Sequence, residues 1–302
     1  MAASPDAAIA GGFEPARAVA GIAPLARDFD GFVLDQWGVL HDGTRPYPGA
    51  RQCLERLREA GKRVVILSNS GRREAANIRL MESMGFPPAL YDRFVSAGED
   101  ARAALERRAQ GFHARLGRRY FGFLREGNAS LLEGLALERT ERIAEADFLV
   151  VIGIDSPERP LSSYEADLAL GARLRLPMVC ANPDVARVSP EGLIDAPGVL
   201  ARRYEELGGE VFYHGKPYPA IYESCLEALG CARERVIAIG DSLDHDVLGA
   251  ARARLASAFV AGGIHLEELG CAWGALPAPE AWRRFLEAAP APPDYLVAAF
   301  VW

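Results

Sequence analysis

The stretch Phe32–Gly43, FVLDQWGVLHDG, runs an apolar strand into Asp35 and turns at Gly38. A carboxylate presented at the end of a buried strand can attack phosphorus and form an aspartyl-phosphate. The attack brings two anions together, so positive charge has to sit with them. Asp241 and Asp246, in IGDSLDHD, can join Asp35 in holding a hard divalent cation. Mg2+ suits such a place, because it takes one or two protein carboxylates plus phosphate oxygens and waters. Lys216, in HGKPYPAIY, can add a point charge. The chain has 34 Lys plus Arg, of which only Lys62 and Lys216 are lysine, so an ammonium has been kept there where arginine serves elsewhere. Ser68 and Asn69, in ILSNS, can cradle phosphoryl oxygens together with nearby backbone N–H groups.

Each of these residues also has a plain structural reading. Asp35 alone would be a turn acid, and Asp241 and Asp246 a helix cap and a first-turn acid. Ser68 and Asn69 would be turn formers, and Lys216 a surface lysine. The four stretches taken together favour chemistry. Asn182 and Asp184, in ANPD, weigh evenly between a turn and a substrate contact. Trp37 reads as core packing, and His41, His113 and His245 as solvent-facing or hydrogen-bonded, since none has ligand spacing. Arg72 and Arg73 read as a solvated helix start rather than an anion contact.

The elements that position these residues are legible as short apolar runs. GFVLD (31–35), RVVILSNS (63–70) and RVIAIGD (235–241) are rich in Val and Ile and too short for helices, which predicts buried parallel strands. Amphipathic helices follow them, in PGARQCLERLREAGK, REAANIRLMESMGF and DHDVLGAARARLA, and SAFVAGG returns as a strand. This alternation predicts a doubly wound α/β domain with its polar groups at the carboxyl ends of the strands, where open sheets bind ligands. A second α/β segment follows from RRYFGFL, DFLVVIGID (147–155) and PMVCANPD (177–184) as strands, with helices in EDARAALERRAQ and SSYEADLALGARLR. The expected division is a discontinuous core of 1–97 and 208–302 around an insert at 98–207. PDYLVAAFVW is expected as a last strand at an edge of the core sheet.

Composition sets outer limits. The 302 residues, 50% hydrophobic with a net charge of −7, allow a large core and give no basic footprint for nucleic acid or anionic membrane. No apolar run approaches the ~20 residues of a membrane helix, and the N-terminus lacks a signal-peptide pattern. The five cysteines form no CxxC pair, which suggests neither a zinc site nor a disulfide framework. A cytoplasmic protein is expected, with no nucleic-acid or membrane partner. Oligomeric state is left open, a homo-oligomer included.

FVLDQWGVLHDG, ILSNS, HGKPYPAIY and IGDSLDHD resemble, in order, the four motifs of the haloacid dehalogenase-like (HAD) superfamily. The long insertion carrying ANPD looks like the C2 cap of class IIA, the NagD-like subgroup. The resemblance implies a Rossmann-like core with a parallel sheet, an α/β C2-type cap, and Mg2+-dependent hydrolysis of a small phosphorylated metabolite. It implies Asp35 as nucleophile and metal ligand, Ser68 and Lys216 on the transferring phosphoryl group, and Asp241 and Asp246 as metal ligands. Trp37 would bind the metal through its backbone carbonyl, and Asn182 and Asp184 would face the cleft.

One departure stands out. Most phosphatases of the superfamily carry an aspartate where this chain has Trp37, and that aspartate protonates the leaving oxygen. Loss of such help costs ~10²–10⁴-fold in rate. Three explanations remain open: a leaving group needing little protonation, a substitute acid (Asp42 and His41 are nearest in sequence), or vestigial turnover. The last corresponds to a HAD-fold binding or regulatory protein. An aromatic residue at that position also resembles the 2-haloacid dehalogenases, which attack carbon, but Asp241 and Asp246 count against that reading.

Overall fold

The computed structural model of the chain describes residues 16–109, 111–125, 129–189 and 192–302. These divide into two compact units. The first comprises the described residues up to Leu67, with Met81–Arg93 and Tyr222–Trp302; the second comprises Ser68–Leu80 and Phe94–Ile221.

The chain begins with strands β1 (Arg17–Val19), β2 (Gly31–Asp35), β3 (Arg63–Ser68) and β4 (Arg93–Ser96). It then lays down β5 (Arg119–Phe123), β6 (Glu138–Arg139), β7 (Phe148–Val151), β8 (Met178–Cys180), β9 (Ala186–Ser189), β10 (Gly192–Asp195) and β11 (Val211–Tyr213). It closes with β12 (Val236–Gly240), β13 (Ala256–Val260) and β14 (Tyr295–Val297). One sheet runs in the order β1-β14-β13-β12-β2-β3-β4 and a second in the order β11-β8-β7-β5-β6, with β9 and β10 as a separate hairpin. The pairings of β2 with β3 and β12, and of β13 with β12 and β14, are parallel. So are those of β7 with β5 and β8, and of β8 with β11. The α/β architecture expected from the sequence is present in both units.

The local reasons are the expected ones for the long runs. All five residues of β2 and all five of β12 are buried, as a central parallel strand covered on both faces requires. The helix Ala50–Glu59 buries Cys53, Leu54 and Leu57, the apolar spacing seen in the sequence. Each unit holds buried apolar clusters of its own. In the second, Leu149, Val151, Leu168, Leu200 and Tyr204 pack together, and Phe148, Val150, Leu105 and Val179 form another cluster. In the first, Val247, Phe259, Leu269, Trp282 and Leu296 pack together. Among the described residues no helix is long and apolar enough to cross a membrane.

Three expectations are corrected. The C-terminal strand β14 is not an edge, because β1 pairs along its outer side with Arg17 opposite Tyr295. β1 has only three residues, too short for a periodicity to register. The insert does not stop at 207, because β11 pairs with β8 in the second sheet, with Val211 opposite Met178. The helix expected from 244 is regular only over Leu248–Arg252; ahead of it Leu243–Val247 forms a π-helical turn.

Candidate active site

In the first unit three carboxylates meet. Asp35 is the last residue of β2, Asp241 directly follows β12, and Asp246 lies in the π-helical turn. One ligand oxygen from each lies within 4.8 Å of the others. The side chains are 9%, 2% and 5% exposed, respectively. Three carboxylates this close and this sheltered repel one another unless positive charge or a proton sits among them. An all-oxygen donor set of this kind suits a hard cation such as Mg2+.

Glycines let the acids approach their neighbours. Gly38 has φ +77, and a Cβ built there would fall 1.7 Å from Asp241 Oδ2. A Cβ at Gly263 would fall 2.2 Å from the same oxygen. The cap of the π-helical turn is Ser242, whose hydroxyl accepts from His245 N at 3.2 Å. Asp241 is therefore not the cap; its Oδ2 accepts from Ile264 N at 2.7 Å. Asp246 Oδ2 accepts from Ser242 N at 3.2 Å, closing the turn on itself. π-turns inside helices recur at functional sites, and here the turn brings Asp246 back to the strand end. Buried Tyr222 supports it from below, donating its hydroxyl to the carbonyls of His245 and Asp246 at 3.3 Å each. Tyr222 lies in the HGKPYPAIY stretch, but its spacing in sequence gives no sign of this contact.

The loop after Asp35 carries Trp37 with His41 and Asp42, the titratable groups nearest to it in sequence. Gly38 N donates to His41 O and Tyr47 N to Leu40 O, which folds residues 36–47 into a tight flap. Trp37 is not core packing as expected: it is 38% exposed, its ring lies against Gly43, and it meets His41 edge-on at 5.3 Å. His41 is fully buried, and burial pushes its pKa down to about 4, against a small opposing pull from Asp42. A sequestered, neutral imidazole is no proton donor to a substrate. Asp42 points into its own turn and accepts from Thr44 N, Thr44 Oγ1 and Arg45 N at 2.7–2.8 Å. Partial burial works against its charge, but those bonds prevail and hold the carboxyl below the usual range. Both side chains are thus engaged within the loop itself.

In the second unit the remaining predicted residues gather. Ser68, Asn69 and Lys216 are 3%, 4% and 3% exposed. Ser68 Oγ accepts from Ser70 N at 3.1 Å. Asn69 is not disposed as a phosphate cradle, because its amide is spent on the protein. Its Oδ1 accepts from Lys216 N at 2.6 Å, and its Nδ2 donates to Lys216 O at 3.1 Å and to Asp184 Oδ1 at 2.7 Å. Asn69 thus clamps both sides of the Lys216 backbone. Asn182 Oδ1 accepts from Asp184 N at 3.1 Å, so ANPD forms a turn that holds Asp184 against Asn69. Of the three histidines discounted in the sequence, His113 is hydrogen-bonded to a fourth, His214.

Comparisons with known proteins agree with this arrangement. A profile described as haloacid dehalogenase-like hydrolase matches residues 32–137, and another of that description matches 101–254, just over half of the chain. A third, HAD-hydrolase-like, matches 213–298. Human chronophin is 27% identical over 270 residues, covering 78% of this chain and 86% of its own. Dihydroxyacetone phosphatase of Corynebacterium glutamicum strain R is 39% identical over 87 residues, a match covering 28% of this chain and only 32% of that enzyme. Among solved structures, a haloacid dehalogenase-like hydrolase from Brucella suis 1330 superposes with a TM-score of 0.78 at 29% identity, covering 95% of this chain and 100% of that one. The chain belongs to the haloacid dehalogenase-like hydrolases, alongside the NagD-like, chronophin-type class IIA phosphatases.

Proposed function

We propose that the chain hydrolyses a phosphate monoester of a small metabolite through an aspartyl-phosphate on Asp35, in a Mg2+-dependent reaction. The observation that carries this reading is the sheltered trio Asp35, Asp241 and Asp246, with ligand oxygens within 4.8 Å. Those carboxylates, with the Trp37 backbone carbonyl, would hold Mg2+, which when bound supplies positive charge against the developing phosphoryl anion. An Asp35 oxygen attacks phosphorus, and the electron pair of the breaking P–O bond leaves with the ester oxygen. Ser68 would hydrogen-bond the phosphoryl group, and Lys216, held by Asn69, would neutralise and orient it. Water then cleaves the aspartyl-phosphate and restores the Asp35 carboxylate.

With His41 buried and Asp42 folded into its turn, this flap offers no acid to the leaving oxygen. The rate should therefore follow the basicity of the leaving group, with aryl phosphates outrunning alkyl phosphates. The partial match to a dihydroxyacetone phosphatase supports a small phosphorylated metabolite as the natural substrate. The same flap favours a second reading, a protein that binds a phosphorylated ligand without turning it over. Phosphate release from a panel of aryl and alkyl monoesters, with and without Mg2+, separates the two. The enzyme reading expects Mg2+-dependent release that Asp35→Asn abolishes. Binding of phosphate with no release from any ester would establish the second reading instead.

A further inference from the structure

The second unit lines up three titratable side chains, two buried histidines and a half-buried aspartate, that the chemistry above leaves unused. Asp100, on the helix Ala97–Arg107, lies with Oδ2 2.6 Å from His214 Nδ1. His214 Nε2 in turn lies 3.0 Å from His113 Nε2. His113 and His214 are 7% and 3% exposed. An ionised Asp100 can only accept, so the proton sits on His214 Nδ1 and leaves Nε2 as an acceptor. His113 then donates from Nε2. Burial pushes His113 down to about 4, with the neighbouring His214 ring and Arg108 adding to the effect and Asp100 opposing it. The Phe212 ring packs against both imidazoles, at 4.6 Å from His113 and 5.0 Å from His214.

Burying two imidazoles against a half-buried carboxylate is costly where apolar side chains would fill the same space. What the row fixes is the orientation of His214, gripped at both ring nitrogens and, through its backbone N, by Cys180 O at 2.9 Å. His214 leads through one residue into Lys216. That residue, Gly215, has φ +106, and a Cβ there would fall 2.5 Å from Asn69 Oδ1 and 2.8 Å from Ala97 Cβ. The chain between the imidazole and the lysine is therefore short and tightly enclosed, and Asn69 grips its far end.

We propose that Asp100, His214 and His113 are positioning residues that aim the Lys216 ammonium at the phosphoryl group. The assignment rests on the phosphoryl role given to Lys216 above. The test compares wild type with His113→Leu, His113→Gln, Asp100→Asn and Lys216→Met. It measures the affinity for inorganic phosphate in the presence of Mg2+, kcat and KM on an aryl phosphate, and thermal melting. His113→Leu is expected to weaken phosphate binding and lower kcat by about tenfold, the scale of one lost buried hydrogen bond. His113→Gln keeps an N–H donor for His214 and is expected to stay within about twofold of wild type. Asp100→Asn is expected to remove the downfield proton resonance of the His214 Nδ1–H and to weaken phosphate binding.

A folded His113→Leu protein with wild-type phosphate affinity and kcat overturns the proposal. So does a His113→Gln protein as impaired as His113→Leu, which would indicate packing rather than positioning. Should His113→Leu fail to fold, Asp100→Asn decides, and unchanged phosphate affinity there overturns the proposal. If wild type releases no phosphate from any ester, the hydrolase reading falls, but phosphate binding still tests the row. Binding that Lys216→Met leaves intact overturns the positioning role.

Discussion

Trp37 puts an indole two residues after Asp35, and the nearest titratable groups of its own loop, His41 and Asp42, are buried and bonded into a turn, respectively. The ring is half-exposed beside Gly43, and His41 behind it is sealed off. Trp37→Asp would place an acid two residues after Asp35, the proposed nucleophile. Alkyl phosphate hydrolysis should then rise toward the ~10²–10⁴-fold that general acid–base catalysis contributes. Aryl phosphates, whose leaving groups need little protonation, should gain far less. Steady-state rates on matched aryl and alkyl esters check this; an equal gain on both would show that Trp37 limits something other than the proton. Single residues were legible in the sequence where chemistry and position coincide. Asp35 and Asp241 stand at or directly after a strand end and Asp246 in the turn that follows, and the structure brings the three carboxylates together as their positions in the sequence suggested. Asn69 was not, because an amide next to Ser68 serves equally as a phosphate ligand or a backbone clamp. Only the partners at 2.6–3.1 Å distinguish the two.

Among the elements, the flap after β2 and the turn after β12 carry the site, and each depends on backbone that side chains would obstruct. Gly38 combines a positive φ with a near-contact on Asp241 Oδ2. Gly38→Ala adds a methyl group where no room exists, in a conformation L-residues resist. It should displace Asp241 and weaken Mg2+ affinity by about tenfold or more, with a fall in melting temperature smaller than a deleted core side chain would cause. Magnesium titration followed by calorimetry, beside a thermal melt, measures both; an unchanged Mg2+ affinity would remove Asp241 from the metal site. The long buried strands were legible because Val- and Ile-rich runs ending in Asp or Ser have few alternatives. β1, β6, β11 and the β9–β10 hairpin were not, since strands of two to four residues carry no measurable period and take their pairing from the sheet they join. The π-helical turn was hidden for a related reason, as DHDVLGAARARLA has ordinary helical spacing. Its widening follows from Ser242 capping and Asp246 turning back on Ser242 N.

For the molecule as a whole, two units that each hold buried clusters of their own make acid stability a property that can be followed unit by unit. His113 is neutral when folded, held down to about 4 by burial first and by His214 and Arg108 second. Its ordinary value is 6.5, so below that pH the unfolded chain takes up a proton that the folded one refuses. The stability this group contributes is complete above about 6.5 and is lost as pH falls toward 4. Carboxylates in ion pairs act lower down. Asp147, hydrogen-bonded by the Arg119 side chain and backbone, sits below 3.8 and yields its share only in stronger acid. His41 occupies the same window as His113 but lies in the first unit. Far-UV circular dichroism melts across pH 6.5 to 4 should therefore show a falling midpoint in wild type and a shallower fall in His113→Gln, which has no proton to take up. Identical slopes would mean that His113 titrates normally in the folded chain. Tryptophan fluorescence adds the location, because Trp37, Trp273, Trp282 and Trp302 all lie in the first unit. With its own sheet and its own buried clusters, the second unit should answer to His113 by itself, so the difference between the two proteins should be larger by dichroism than by fluorescence.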